Sequence, residues 1–195
     1  SILPILNDKE ALEIAAIRSV SGKKLKLSNW KLPPFRAPHH TASNVALVGG
    51  GSPPQPGEIS LAHQGILFLD ELPEFKRDAL ESLREPLESG TITISRAARQ
   101  AEFPANFQLI AAMNPCPCGY LGSTINHCKC SSERIQRYHR KLSGPFLDRI
   151  DIQVEVDASN KNCFLKEPTI ENSKTIRSRV KKAREKQYYS RGSLN

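Results

Sequence analysis

Gly65-Ile66-Leu67-Phe68-Leu69-Asp70-Glu71 is the stretch that decides how this chain is read. A short apolar run, entered through a glycine and ended by acids, makes a buried strand. That strand delivers two adjacent carboxylates to its carboxyl end, where open α/β sheets bind their ligands. Such a pair suits metal-assisted phosphoryl transfer. One carboxylate holds Mg²⁺ through water, because magnesium prefers oxygen ligands and keeps its hydration. The other polarises the attacking water. Acids after a strand also serve merely to begin a turn, so the surrounding sequence has to decide.

Two stretches downstream fit the first reading. Phe107 to Ala112 is a second apolar strand, and it runs on into Met113-Asn114-Pro115. An amide at the end of a neighbouring strand is placed to orient the same water beside a γ-phosphate. Further on comes Gly144-Pro145-Phe146-Leu147-Asp148-Arg149-Ile150-Asp151. An arginine there, just before a strand, is positioned to reach a neighbouring subunit's phosphates as an arginine finger. Each element alone is weak, but the three in this order and spacing make a strong signal.

The remaining chain supplies the layers. Asn7 or Asp8 caps a first helix, with Glu10 completing a capping box and Gly22 ending it. Residues 28–64 are rich in proline and glycine and read as a long functional loop, with a short hairpin around Asn44 to Val48. Lys76 to Ser89 reads as one helix stopped by Gly90. Thr91 to Ser95 and Gln100 to Phe103 form a hairpin around Arg96 to Arg99. Ser131 to Leu142 is helical, opened by Ser131 or Ser132. Ile150 to Val156 alternates as a last strand, and Pro168 to Tyr189 is a basic helix. Strands alternating with helices give an α/β layered fold.

Net charge is +8, and it is unevenly spread. Residues 161–195 hold ten Lys/Arg and three Asp/Glu, a net of +7, which leaves +1 for residues 1–160. A cationic tail is either a solvated helix face or a contact for nucleic-acid phosphates. The longest purely apolar run is too short to span a membrane, and no secretory leader is recognisable, so a cytoplasmic location is expected. A chain that opens on Ser1 within an apolar segment reads as a piece of a longer protein.

Four of the five cysteines fall in two pairs, Cys116-x-Cys118 and Cys128-x-Cys130. In a reducing compartment such clustering points to a metal before it points to disulfides. Four thiolates around one tetrahedral ion suit structural Zn²⁺, with His127 as a possible replacement for one of them. The bland alternative is four unliganded thiols in a loop. Cys163 stands apart. His39 and His40 read as surface or locally hydrogen-bonded histidines.

The stretches FRAPHHTASNVALVGGG, PGEISLAHQGILFLDELPEF, AARQAEFPANFQLIAAMNPCPCG and LSGPFLDRIDI resemble the AAA+ family of magnesium-chelatase-like proteins, most nearly its competence-protein branch. They cover roughly residues 35–156. The resemblance implies a P-loop-type α/β/α core with hairpin insertions over residues 1–157, and a linker and the start of a small helical lid over 158–195. It makes Asp70 and Glu71 the Walker B pair, with Asp70 holding Mg²⁺ through water. Asn114 becomes sensor 1 and Arg149 the arginine finger. Arg96 and Arg99 sit where related rings grip DNA. The family's Walker A loop is not in this sequence, since Gly49-Gly50-Gly51-Ser52 is followed by no lysine. The chain by itself is therefore expected not to turn over ATP.

Three functions follow as expectations. The first is an ATP-driven DNA motor assembled as a ring, acting in branch migration during uptake and recombination of DNA. The second is the ATPase subunit of a magnesium-chelatase-type complex. The third is a zinc-stabilised nucleic-acid-binding module that does not use ATP.

Overall fold

The computed structural model describes residues 2–24, 26–96, 99–124, 126–156 and 171–191. Its centre is a parallel sheet. Strand β4 (Ile66–Leu69) lies between β1 (Phe35–Arg36) and β7 (Gln108–Ala111). Parallel neighbours need long crossovers. From β1 to β4 the chain passes through α2 (Asn44–Val48), the small hairpin β2 (Gly49–Gly50) and β3 (Gln55–Pro56), and α3 (Glu58–Leu61). From β4 to β7 it passes through α4 (Arg77–Glu81), α5 (Arg84–Ser89) and the longer hairpin β5 (Thr91–Arg96) and β6 (Arg99–Pro104). Upstream lies α1 (Asp8–Val20). Downstream follow α6 (Ser132–His139), α7 (Gly144–Leu147) and α8 (Ser173–Arg191).

The alternation of β4 sets the core. Leu67 and Leu69 are fully buried and pack with Leu47, Ile59, Leu83, Ile92 and Phe146. The register puts Leu109 and Ala111 of β7 on the same face. Phe35, Ile66, Phe68 and Ile110 share the other face, where the Phe35 and Phe68 rings stack 6.2 Å apart. Phe35 is 63% exposed and Ile110 41%, so the described residues do not close that face with a second helical layer. The mixed α/β class with a parallel sheet is as expected. Gly65 is required at the start of β4, because a Cβ there would lie 2.1 Å from the Pro34 carbonyl oxygen. That same carbonyl accepts the Ile66 N–H at 2.8 Å.

Helix α1 begins as its sequence dictates. Asn7 accepts the Glu10 N–H at 2.9 Å and the Glu10 carboxylate accepts the Asn7 N–H at 2.8 Å, a complete capping box. Its buried residues Ala11, Ile14 and Ile17 recur every third position. Buried His63 ties the helix down. Its Nε2 donates to Glu13 at 3.1 Å and its Nδ1 accepts the Asn106 N–H at 3.1 Å, which fixes the neutral tautomer. Burial pushes the His63 pKa below its ordinary value, against the opposing pull of Glu13.

Three expected elements differ. The helix read over Lys76 to Ser89 is two helices, α4 and α5, with a turn at Ser82 and Leu83. Pro86 explains the break: it has no N–H to give the Ser82 carbonyl, and its ring would clash with that carbonyl in a continuous helix. Asn44 to Val48 is a helix and not a hairpin, because Ser43 caps it by accepting the Ala46 N–H at 3.1 Å and buries Leu47. The hairpin comes one step later, at β2 and β3. Ile150 to Val156 forms no strand, and Ile152, Val154 and Val156 are 74–83% exposed. Alternation prepares a segment for a sheet, but a strand forms only where a ladder partner exists. Here the segment has none among the described residues. The linker expected after residue 157 lies outside the described residues up to residue 170.

Candidate functional site

The ladder between β4 and β7 continues past both strands and builds the site. Leu69 is in register with Ala111; beyond them the Ala112 N–H donates to the Leu69 carbonyl at 2.9 Å and the Leu72 N–H to the Ala112 carbonyl at 3.0 Å. Asp70 and Glu71 are thereby pinned beside the segment that carries Asn114. All three residues are exposed at the carboxyl edge of the parallel sheet.

Glu71 adopts left-handed backbone angles, φ 54° and ψ 46°. For a residue with a Cβ this costs of order 1–3 kcal/mol and persists only where neighbours enforce it. Here the Glu71 N–H donates to the Asp70 carboxylate at 2.9 Å, and the Glu71 carbonyl accepts the Glu74 N–H at 2.7 Å. Leu72 and Pro73, buried in the 3₁₀ turn that follows, hold the kink from below. The kink turns the chain sharply and leaves both acidic residues exposed.

The structure adds a residue to this pair. His40 Nδ1 lies 2.9 Å from Glu71 Oε2, so one carboxylate oxygen is held and the other left open. The His40 ring meets Phe75 edge-on at 6.4 Å and packs against His39 at 4.1 Å. His39 is fixed in turn, its Nδ1 accepting the Thr41 N–H at 3.3 Å. Nothing in the spacing of the loop points His40 at a carboxylate so far downstream, and the sequence reading missed it.

Arg149 stands elsewhere within the chain. It pairs with Glu88 at the end of α5 and donates to the Pro145 carbonyl at 3.3 Å, not to Asp70, Glu71 or Asn114. The backbones of Arg96 and Arg99 pair with one another at the far end of the β5–β6 ladder, as the hairpin reading requires. Their side chains, and the turn residues 97 and 98, lie outside the described residues.

The two cysteine pairs do converge. The four Sγ atoms of Cys116, Cys118, Cys128 and Cys130 lie within 4.8 Å of one another. Cys116 is 3.3 Å from Cys118 and 3.7 Å from Cys128, and Cys118 is 3.6 Å from Cys128. Four sulfurs each about 2.3 Å from a tetrahedral zinc ion would sit roughly 3.8 Å apart, so the donor set fits that ion. Backbone bonds from Tyr120 and Lys129 hold the Cys118 thiol down at about 6, whereas burial and the neighbouring sulfurs push Cys128 up to about 12. His127 is not part of this cluster.

The model of the family described as magnesium chelatase, subunit ChlI, matches residues 1–164. The chain belongs to this family. It is 50% identical over its whole length to competence protein ComM of Haemophilus influenzae, and 49% identical to the uncharacterized protein YifB of Escherichia coli. These place it in the ComM/YifB branch of the magnesium chelatase family. It spans 38% of the length of each of those two relatives. About half of the chain, 96 residues, is 29% identical to the DNA replication licensing factor Mcm6 of Drosophila melanogaster. In this magnesium chelatase family member, no described helix is long and apolar enough to cross a membrane.

Proposed function

We propose that this chain carries the hydrolytic side of an ATP-driven motor that acts on DNA. The observation that carries the reading is the register of β4 with β7, which sets Asp70 and Glu71 beside the segment of Asn114 at the carboxyl edge of a parallel sheet. That is where such sheets bind nucleotides. Asp70 keeps one carboxylate oxygen free of the Glu71 N–H, which suits a hydrated Mg²⁺. Bound Mg²⁺ would supply charge neutralisation on the phosphates. Glu71, held by His40 through one oxygen, uses the other to polarise the attacking water. The Asn114 amide orients that water. Arg149 serves the nucleotide of a neighbouring subunit in a ring, which agrees with its separation from its own chain's acids. Arg96 and Arg99 meet DNA phosphates at the hairpin tip, and the cluster of four thiolates holds a structural Zn²⁺.

The relatives favour DNA as the partner. One is a competence protein, and another that matches half of the chain is a DNA replication licensing factor. The family description favours a second reading, the ATPase subunit of a magnesium-chelatase-type complex. ATP turnover by the full-length protein separates the two. The motor reading predicts several-fold stimulation by DNA, greatest on branched duplexes, and none by a porphyrin-binding partner. Stimulation by the porphyrin partner alone would reverse the assignment.

A further inference from the structure

The cysteine cluster is joined to the segment of Asn114 from both ends. Cys116 is fully buried two residues after Asn114, and its carbonyl accepts the Gly119 N–H at 3.0 Å. That bond folds the chain back on itself, so a Cβ at Gly119 would lie 3.9 Å from the Asn114 side-chain amide. Cys130 leads directly into α6, opened by Ser131, whose hydroxyl accepts the Arg134 N–H at 3.3 Å. The far end of α6 returns to the same place. His139 Nε2 bonds the Pro115 carbonyl at 3.1 Å, next to Asn114, and Tyr138 beside it is buried. Just past α6, Lys141 pairs with the Glu74 carboxylate at 3.1 Å, and the Glu74 N–H binds the Glu71 carbonyl at 2.7 Å.

The segment from Asn114 to His139 is thus a closed loop. Its two ends meet where His139 bonds Pro115, and the described residues between them are largely irregular and gather the four sulfurs. The described residues of that loop bury few side chains, Cys116 and Tyr138 among them. A loop with so small an apolar interior keeps one shape only if something other than packing closes it. The sulfurs are the groups placed to do so.

We propose that metal bound by Cys116, Cys118, Cys128 and Cys130 fixes the position of Asn114 and so makes hydrolysis at Glu71 depend on metal loading. The inference rests on the zinc reading above and extends it from a structural clip to a positioning device. With the ion in place, the Gly119 turn on Cys116 and the His139 bond to Pro115 hold the Asn114 segment from two sides. Without it nothing bridges the four sulfurs, the turn at Gly119 opens, and Asn114 loses its fixed place at the end of β7. The parallel sheet has its own core and stays folded.

The test uses Zn²⁺ on this chain, followed by amide and side-chain NMR with and without a chelator. One equivalent of Zn²⁺ should bind. On removal the Asn114 side-chain resonances should broaden or move, while the amides of Leu67 and Leu69 keep their dispersion. His139→Ala, which leaves all four ligands in place and removes the bond to the Pro115 carbonyl, should loosen the Asn114 segment in the loaded protein. In the full-length protein, metal removal should lower kcat roughly tenfold or more with KM for ATP little changed, the pattern of a lost transition-state contact. Zinc binding with an unmoved Asn114 would overturn the coupling and leave the zinc reading standing. Absence of any bound metal would overturn both. Collapse of the Leu67 and Leu69 dispersion on stripping would make the centre a general stabiliser and would also overturn the coupling.

Discussion

At the scale of single residues, the candidate site sets a strained glutamate against His40, while a second histidine, His63, serves the fold. Glu71 is bent into left-handed angles, and His40 holds one of its oxygens at 2.9 Å. Removing that hold should let the carboxylate rotate away from the water. In the full-length protein, His40→Ala should therefore lower kcat roughly ten- to a hundredfold, because small misplacements at a reacting group are costly. KM for ATP should change little, and unchanged kcat would separate His40 from the chemistry. His63 has a structural duty. The fold favours its neutral form, holding its pKa below the ordinary value of 6.5. The stability it contributes is therefore present above about pH 6.5 and is lost as pH falls toward the depressed folded value. Urea midpoints measured from pH 7.5 to pH 5 should decline, and His63→Asn should flatten that decline while lowering the midpoint at neutral pH. A variant with the same acid slope as the parent would locate the titration elsewhere.

At the scale of elements, local signals were readable where they were complete in themselves. The capping box of α1, the buried strand β4 and the hairpin of β5 and β6 each contain their own cause: a cap with its reciprocal glutamate, an apolar run, two alternating arms. Failures came where the cause lies in another part of the chain. Pro86 breaks a helix whose apolar spacing is otherwise intact, so the steric rule overrode the period. Ile150 to Val156 has the alternation of a strand, but a strand also needs a neighbour that no pattern within the segment reveals. Asp70, Glu71 and Asn114 were legible as a group because strand ends announce them, whereas His40 joins them only through tertiary folding. The hairpin also yields a prediction. Its six-residue arms bring the backbones of Arg96 and Arg99 together at the end of the ladder. Phosphate contact needs charge and no base reading. Replacing both arginines with Ala should weaken DNA binding uniformly across sequences and flatten its salt dependence by up to about two ions per chain. DNA-independent ATP turnover should stay close to the parent value. Unchanged affinity and salt slope would move the contact to the basic helix α8, which carries Lys181, Lys182, Arg184 and Lys186.

At the scale of the whole molecule, the chain presents acids on one edge of the sheet and an arginine that does not reach them. Arg149 is held by Glu88 and Pro145. If the finger acts between subunits, an Arg149→Ala protein and an Asp70→Ala protein are each inactive alone but complementary at a shared interface. Mixing the two full-length variants should restore a measurable fraction of turnover, and its absence at every ratio would argue against action in trans. The central claim lies beneath that one: Asp70 and Glu71 are the carboxylates of an ATP-hydrolysing site. A water-polarising acid contributes to the transition state and little to ground-state affinity. The most direct measurement is ATP turnover and Mg²⁺–ATP binding by full-length Glu71→Gln beside the parent protein. The account predicts that turnover falls by about two to four orders of magnitude while the dissociation constant for ATP stays within a few-fold of the parent's. Turnover near the parent rate, with ATP bound, would contradict it.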